Sequence, residues 1–357
     1  MRILLLADYY PAYLKAFHAR HADIAQSYEQ ATEELLGDYF GSFVSYRNHF
    51  RKIGHTCELV IGNDYVLQNK WLSEAGLPAD AGPDTKFRSV LKRIEAYRPD
   101  LIFMGSMFDY FGGFVAAASR LTPNIFVWIA CPYPGNLDFT GVRCVMSSVD
   151  SFVDQFRALG LAAERLDAAF DADILAAVGE VAKRHDVTFI GGMSSRTHAY
   201  RVRMLKSLLR AGIEVDLWGY GLDRGLLPNP LRKRFGGEIW GIDYYRVLAE
   251  SRLTLNFHID VAKTSGFTGN MRTFEATGCG ATLVSDSSGE LARLFEPGVE
   301  VVTYESPDDL VERIRELLAD DAQCRNIARR GQERCLREHG YEFRIRDFEG
   351  ILGRHMH

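Results

Sequence analysis

Short apolar runs alternate with longer amphipathic stretches, and this constrains the fold of the chain more than any other feature. The first series is Ile3–Ala7, Cys57–Ile61, Leu101–Met104, Ile125–Ile129, Arg143–Met146 and Ser151–Val153. Between these runs lie helical patterns. One amphipathic segment runs from about Ala25 to Ile53, with Leu35, Leu36, Tyr39, Phe40, Phe43, Val44 and Phe50 as its apolar positions; a second runs over Phe87–Tyr97. Continuous apolar runs suit strands covered on both faces, and strand–helix alternation implies a parallel sheet with helical crossovers. The pattern then restarts at His185–Ile190, with a helix over Tyr200–Ala211, a strand over Ile213–Trp218, a helix over Tyr244–Glu250 and a strand over Leu253–Phe257. It continues through Ala281–Val284 and Val299–Thr303. With 357 residues the chain exceeds the size at which single cores stop growing, so two domains are expected, 1–170 and 171–340. A charged, helical tail follows, bending near His339-Gly340-Tyr341, and its last part, 341–357, forms a separate helix.

Composition removes several classes. Hydrophobic residues make up 47% and charged residues 25%, the balance of a folded globular protein. The net charge of −5 gives no basic footprint for nucleic acid, so no nucleic-acid partner is expected. Six cysteines are scattered without C-x-x-C spacing or a neighbouring histidine pattern, which fits reduced structural thiols and no metal site. The apolar start is too short for a secretory leader and reads as a first strand. No apolar stretch is long enough to span a bilayer. Cytoplasmic localisation is the expectation, and peripheral membrane association stays open.

The densest functional signal runs from Thr264 to Tyr304. A loop with Gly266 and Gly269 opens a short helix, Asn270-Met271-Arg272-Thr273-Phe274-Glu275-Ala276. Cys279-Gly280 breaks it, the strand-like Ala281–Ser285 follows, then Asp286 and Phe295-Glu296-Pro297-Gly298. A helix entered from a glycine loop offers free N–H groups and a positive dipole end, which suit a diphosphate. Arg272 adds a charge-assisted donor, and Glu275 is placed to accept from ribose hydroxyls. An ordinary left-handed turn with a solvated Glu275 is the plainer alternative.

This order resembles the nucleotide-sugar half of GT-B glycosyltransferases, and most closely the CgeB-type (spore maturation protein-like) branch. The resemblance implies an α/β fold of two Rossmann-like domains facing a central cleft, with the last helix crossing back to the N-terminal domain. It implies transfer of a sugar from a UDP-, GDP- or dTDP-linked donor to an acceptor hydroxyl on a glycan, natural product or protein, without a metal. Many retaining GT-B enzymes carry a second acid where this chain has Phe267, which leaves the stereochemical outcome open.

Further candidates flank that helix. Gly191-Gly192 ends a strand and lets backbone approach a ligand, with Ser194 and Arg196 on the loop beyond and Arg201 next. Many GT-B enzymes place an arginine where this chain has Gly192. Trp218-Gly219-Tyr220 ends another strand, where Tyr220 stacking on a base and Trp218 packing in the core are equally open. Asn256, His258 and Asp260 fall on one side of the strand before the loop. One histidine and one acid make a poor metal site. In the N-terminal domain, Asp8, Tyr9 and Tyr10 follow the first strand at its carboxyl end and face the expected cleft, with His18 and His21 beyond. Asp8 or His18 would serve an inverting enzyme as general base, and Arg272 would stabilise the leaving group. The loops Gly105–Tyr110 and Cys131–Asp138 add acceptor candidates. No G-x-S-x-G, Walker A or H-E-x-x-H string occurs, and Leu6-Ala7-Asp8-Tyr9-Tyr10 replaces a dinucleotide glycine loop. A nucleotide-sugar epimerase on the same fold and a non-catalytic nucleotide- or glycan-binding subunit remain the alternatives.

Overall fold

The computed structural model describes residues 1–21, 26–78, 85–194, 198–221, 229–258 and 270–356. They divide into two compact units, Met1–Asp167 with Tyr341–His357, and Ala168–Gly340. Among the described residues no helix is long and apolar enough to cross a membrane.

The first unit opens with β1 (Arg2–Ala7), α1 (Pro11–Arg20), α2 (Tyr28–Gly37), α3 (Ser42–Lys52) and β2 (Thr56–Ile61). Then come α4 (Tyr65–Glu74), α5 (Thr85–Tyr97), β3 (Leu101–Met104), α6 (Gly113–Ala118) and β4 (Ile125–Trp128). It continues with β5 (Cys144–Ser147), α7 (Asp150–Ala158) and β6 (Ala163–Arg165). The six strands are parallel in the order β2-β1-β3-β4-β5-β6. Ile3 to Leu6 and Leu101 to Met104 are wholly buried, as continuous apolar strands between two helical layers must be.

Two sequence expectations change here. The amphipathic segment from about Ala25 to Ile53 is broken: α2 stops at Gly37, Tyr39 adopts a positive φ of 52° and Gly41 one of 80°. Residues 22–25 lie outside the described residues. The break lets Phe40 stack on Tyr13, with centroids 3.8 Å apart and planes 10° from parallel. Ser151–Val153 is not a strand but part of α7, where Phe152, Val153 and Phe156 form a helical apolar face.

The second unit contains α8 (Asp173–Val178), β7 (His185–Ile190), α9 (Ala199–Arg210), β8 (Asp216–Trp218), α10 (Asn229–Lys233), α11 (Gly241–Glu250) and β9 (Ser251–Asn256). After these come α12 (Met271–Gly278), β10 (Thr282–Asp286), α13 (Gly289–Leu294), β11 (Val302–Tyr304), α14 (Pro307–Ala319) and α15 (Asp321–Glu338). Its parallel sheet runs β11-β10-β9-β7-β8. β11 begins later than the apolar run from Val299, because Gly298 N–H donates to the Val301 carbonyl and holds that stretch in a turn.

The final helix, α16 (Tyr341–His355), belongs to the first unit. Tyr341, Arg344, Ile345, Phe348, Ile351 and Leu352 are its buried residues, the spacing of a one-faced helix. Phe348 lies 4.8 Å from the Phe103 ring and 5.3 Å from Phe50. Burying such a side chain stabilises by roughly 1.5–3 kcal/mol. Arg354 and His355 then pair with Glu164 of β6.

Candidate functional site

In open parallel sheets, ligands bind beyond the carboxyl ends of the strands where the connections change direction. In the second unit that point lies between β7 and β9: from β7 the chain moves outward to β8, and from β9 to β10 and β11 on the other side. The residues gathered there come from segments distant in sequence.

Gly191-Gly192 leaves β7, and Gly219 leaves β8. Gly191 N–H donates to the Trp218 carbonyl at 2.9 Å, and Met193 N–H to the Tyr220 carbonyl at 3.0 Å. Gly219 has φ +136°, and a Cβ there would stand 2.0 Å from the Gly191 carbonyl oxygen. Only glycine allows these two strand ends to run together. A Cβ at Gly192 would meet His198 at 2.8 Å. Arg201, from α9, straddles the switch point: its Nε donates to the Phe257 carbonyl at 3.0 Å and its Nη1 to the Gly192 carbonyl at 3.1 Å. Ser194 is described on the loop beyond, whereas Arg196 lies outside the described residues.

The entrance to α12 is fixed from below. Asn270 is its N-cap residue, but its side chain does not cap the helix. Its Nδ2 donates instead to Asn256 Oδ1 at 2.9 Å, and Asn256 Nδ2 donates to Ser285 Oγ at 3.1 Å. The chain Asn270–Asn256–Ser285 ties the helix start to β9 and β10, and no Asn270 side-chain oxygen occupies the first N–H groups of α12. His258 Nδ1 bonds Asp286, both nearly buried. Gly269 and Asp260 lie outside the described residues. Met271 is half-buried in the first turn of α12, and Thr273 is buried beneath it.

Arg272 and Glu275 meet on one side of α12 through a residue the sequence reading did not single out. Tyr244, on α11, donates its hydroxyl to Glu275 and accepts from Arg272 Nε at 3.0 Å. The Arg272 guanidinium also lies 5.5 Å from the Tyr244 ring centroid. Burial raises the Glu275 carboxyl above the ordinary carboxylate range, while Arg272 and the tyrosine hydroxyls pull against that rise. Burial likewise pushes the Tyr244 phenol well up. Burial acts against the charge on Arg272, but Tyr244 and Glu275 outweigh it, so its pKa is raised and it stays a cation. The only sequence signal for Tyr244 was the aromatic pair Tyr244-Tyr245 near the start of a helix.

Of the strand-end aromatics, Tyr220 presents an exposed ring stacked on Trp240, with centroids 5.9 Å apart and planes 15° from parallel. Trp218 does not line the strand end. Its indole runs back along the strand, edge-on to His185 at 5.1 Å, in space that glycine at 236 leaves open. Trp218 is half-buried.

The corresponding point in the first unit, between β1 and β3, carries Asp8. The Tyr110 hydroxyl donates to Asp8 Oδ1 at 3.2 Å. Asn63 bridges the backbone of Tyr9, accepting from its N–H at 2.9 Å and donating to its carbonyl at 2.7 Å. Tyr9 does not face outward as expected. It is 4% exposed and packs edge-on to Tyr13 and Phe40, while Tyr10 is 54% exposed. His18 sits on α1, and its Nε2 meets both Asp64 oxygens at 3.0 and 2.9 Å. Asp64 also caps α4, accepting from Val66 N–H and Leu67 N–H, so His18 is held against a helix start. His21 pairs with Glu34 at 2.6 Å. On the remaining loops, Ser106 donates to the Trp128 carbonyl, Tyr133 to Gln155, and Asp138 accepts from Thr140 N–H.

Comparison with known proteins agrees with this architecture. Residues 196–350 match the family model described as glycosyl transferase-like. No curated protein matches the chain in sequence. Similar solved structures include sucrose-phosphate synthase from Thermosynechococcus elongatus, at 14% identity, TM-score 0.56, covering 99% of this chain and 98% of that one. Anabaena HepE in complex with UDP and glucose is 13% identical with a TM-score of 0.60, covering 99% of both chains. AviGT4, a glycosyltransferase involved in avilamycin A biosynthesis, is 15% identical with a TM-score of 0.60, covering 99% of this chain and 98% of that one. At these identities the likeness is one of fold, while the family match spans most of the second unit and part of α16. Two doubly wound parallel sheets and a final helix that belongs to the first unit give this chain the GT-B fold of those solved structures, and its residues 196–350 resemble a glycosyl transferase-like family.

Proposed function

We propose that this protein transfers a sugar from a nucleoside-diphosphate sugar to an acceptor hydroxyl, and that the second unit binds the donor at the β7/β9 switch point. The observation that carries the reading is the joint arrangement at α12: a helix start without a side-chain cap, beside the Arg272–Tyr244–Glu275 network. The N–H groups of Met271 and Arg272 meet the diphosphate, as helix starts do for anions. Glu275 exchanges its bond from Tyr244 for bonds from the ribose hydroxyls. Gly191, Gly192 and Gly219 admit the donor close to backbone, and Tyr220 offers its exposed face to the base.

Catalysis then comes from positioning and from stabilising the departing diphosphate, with Arg272 and the cationic Arg201 supplying positive charge. In this scheme those groups take the place of a resident metal ion. Asp8, held by Tyr110, is the group we assign as base for the acceptor hydroxyl in the first unit. His18 is not assigned that role, because its Nε2 is engaged by Asp64. The string Gly-Asn-Met-Arg-Thr-Phe-Glu-Ala at 269–276 supports placing the chain in the CgeB-type branch. Uridine diphosphate is the favoured carrier, since Anabaena HepE has the same fold and has been crystallised with UDP and UDP-glucose.

The test is thermal stabilisation across UDP-, GDP-, dTDP- and CDP-sugars, because a saturable ligand raises the melting point by mass action. A clear shift with the UDP-sugars is expected, with affinity at least tenfold weaker in Glu275→Ala. No shift with any donor at millimolar concentration would overturn the proposal.

A further inference from the structure

Arg272 and Glu275 stand one helical turn apart on α12, at a spacing where opposite charges readily close into a direct pair. Here they do not: Arg272 acts on Glu275 through its charge, and among the described residues the two form no direct ion pair. Tyr244 stands between them. Its hydroxyl accepts from Arg272 Nε at 3.0 Å and donates to Glu275 Oε2. A phenol hydroxyl has one proton to give and lone pairs to accept with, so it can link a cation to a carboxylate in a single line. Polarised from both ends, it bonds each of them more strongly. The tyrosine ring adds a second hold on the guanidinium, 5.5 Å from its centroid. Tyr245, next along α11 and buried, brings another hydroxyl to the same carboxylate.

The arrangement leaves particular atoms for a ligand. Tyr244 uses only the Nε of Arg272, and among the described residues neither Nη atom has an acceptor. Arg272, Tyr244 and Glu275 are each half-buried, so part of the group stays open to solvent. Arg272 also lies within electrostatic reach of Tyr220, which puts its charge on the side of α12 toward the end of β8.

A direct bidentate pair would consume the guanidinium donors and the carboxylate acceptors together. With a hydroxyl between them, the cation keeps its Nη donors for phosphate oxygens and the carboxylate keeps acceptor capacity for hydroxyls. We propose that Tyr244 is a positioning residue that holds Arg272 and Glu275 apart, so that two separate charges meet the diphosphate and the ribose of one nucleoside diphosphate. The inference rests on the donor-site reading above, and its test separates the failure of one from the failure of the other.

The experiment is calorimetry of the full chain with UDP and with inorganic pyrophosphate, on wild type, Tyr244→Phe, Glu275→Gln and the double variant. Tyr244→Phe removes one hydroxyl and keeps the ring, and unfolding without ligand checks that the fold is retained. UDP should bind it at least about tenfold more weakly, because the released Arg272 closes on Glu275. Glu275→Gln removes the charge that captures the arginine. The double variant should therefore bind UDP within about threefold of Glu275→Gln alone, a recovery that loss of a merely structural tyrosine does not give. Pyrophosphate, which has no ribose, should bind wild type, Glu275→Gln and the double variant alike, and only Tyr244→Phe more weakly. Unchanged UDP affinity in Tyr244→Phe, losses that multiply in the double variant, or pyrophosphate binding equally weakened in both Tyr244 variants would each overturn the role of Tyr244 and leave the donor site standing. No binding of UDP to wild type would overturn both readings.

Discussion

The two units share one topology and differ in what occupies the place where ligands bind such sheets. The first five strands of each follow the same order, the second strand lying outside the first and the third inside it. At the first unit's switch point glycine makes room for a side chain: a Cβ at Gly62 would stand 2.0 Å from the Tyr110 hydroxyl, which fills that space and reaches Asp8. At the second, glycine makes room for backbone, because Gly219 abuts the Gly191 carbonyl. Around Asp8 the chain packs Tyr9, Tyr13, Phe40 and Tyr110, all but Phe40 in the buried core. Around α12 it leaves glycine backbone and a helix start without a side-chain cap. The same strand order therefore yields one point lined by aromatic packing around a half-buried acid and another lined by glycine backbone and a helix start.

The largest expected effect lies where the first unit depends on the end of the chain. Phe348→Ala should cost about 3–5 kcal/mol, the usual range for deleting a fully buried aromatic ring. Chemical denaturation should show the loss in the transition of the first unit. If the transition of the second unit falls by the same amount, the units unfold together and their comparison as separate bodies fails. Gly219→Ala comes next, at about 2–4 kcal/mol, since it combines a backbone clash with a positive φ. It should also abolish nucleotide-dependent stabilisation. Gly62→Ala should cost less, about 1–3 kcal/mol, because its clash is with one tyrosine hydroxyl and its φ is not positive. Equal costs at the two glycines would contradict the distinction drawn between them.

What the sequence could show follows from which interactions are local. Strands such as Ile3–Ala7 and Leu253–Phe257 are legible because burial on both faces writes an uninterrupted apolar run. The restart at His185 shows the second sheet for the same reason. The break between α2 and α3 was hidden because its apolar residues keep helical spacing on both sides, while the stacking of Phe40 on Tyr13 at the turn joins residues far apart in sequence. Ser151–Val153 is too short for its period to separate strand from helix. At the site, Gly191, Gly192, Arg272 and Glu275 were visible because glycine loops and charges at a helix start are local signals. Tyr244 was not, since its role exists only when α11 lies against α12. The pairing of His18 was hidden for the same reason: its partner Asp64 is far away in sequence and reaches it only through the fold.

The smallest expected effect separates binding from stability at the second switch point. Burial raises the Glu275 carboxyl above its ordinary value of 4.5, so the folded state holds that proton more tightly than the unfolded chain does. Stability from this group is therefore fully present below about pH 4.5 and is lost as pH rises through the raised folded value. Glu275→Gln removes the titration and retains a side chain able to accept from Tyr244. Wild type and variant should be nearly equally stable in acid, and the variant should pull ahead toward neutral pH. Its nucleotide affinity should nevertheless fall, because the neutral amide is a weaker acceptor for ribose hydroxyls than a carboxylate. Stability measured against pH for both proteins, beside nucleotide titrations at neutral pH, gives both numbers. A variant less stable than wild type at neutral pH would make Glu275 a structural partner of Arg272. A more stable variant with weakened binding would identify a carboxylate kept at some cost to the fold for the sake of its ligand.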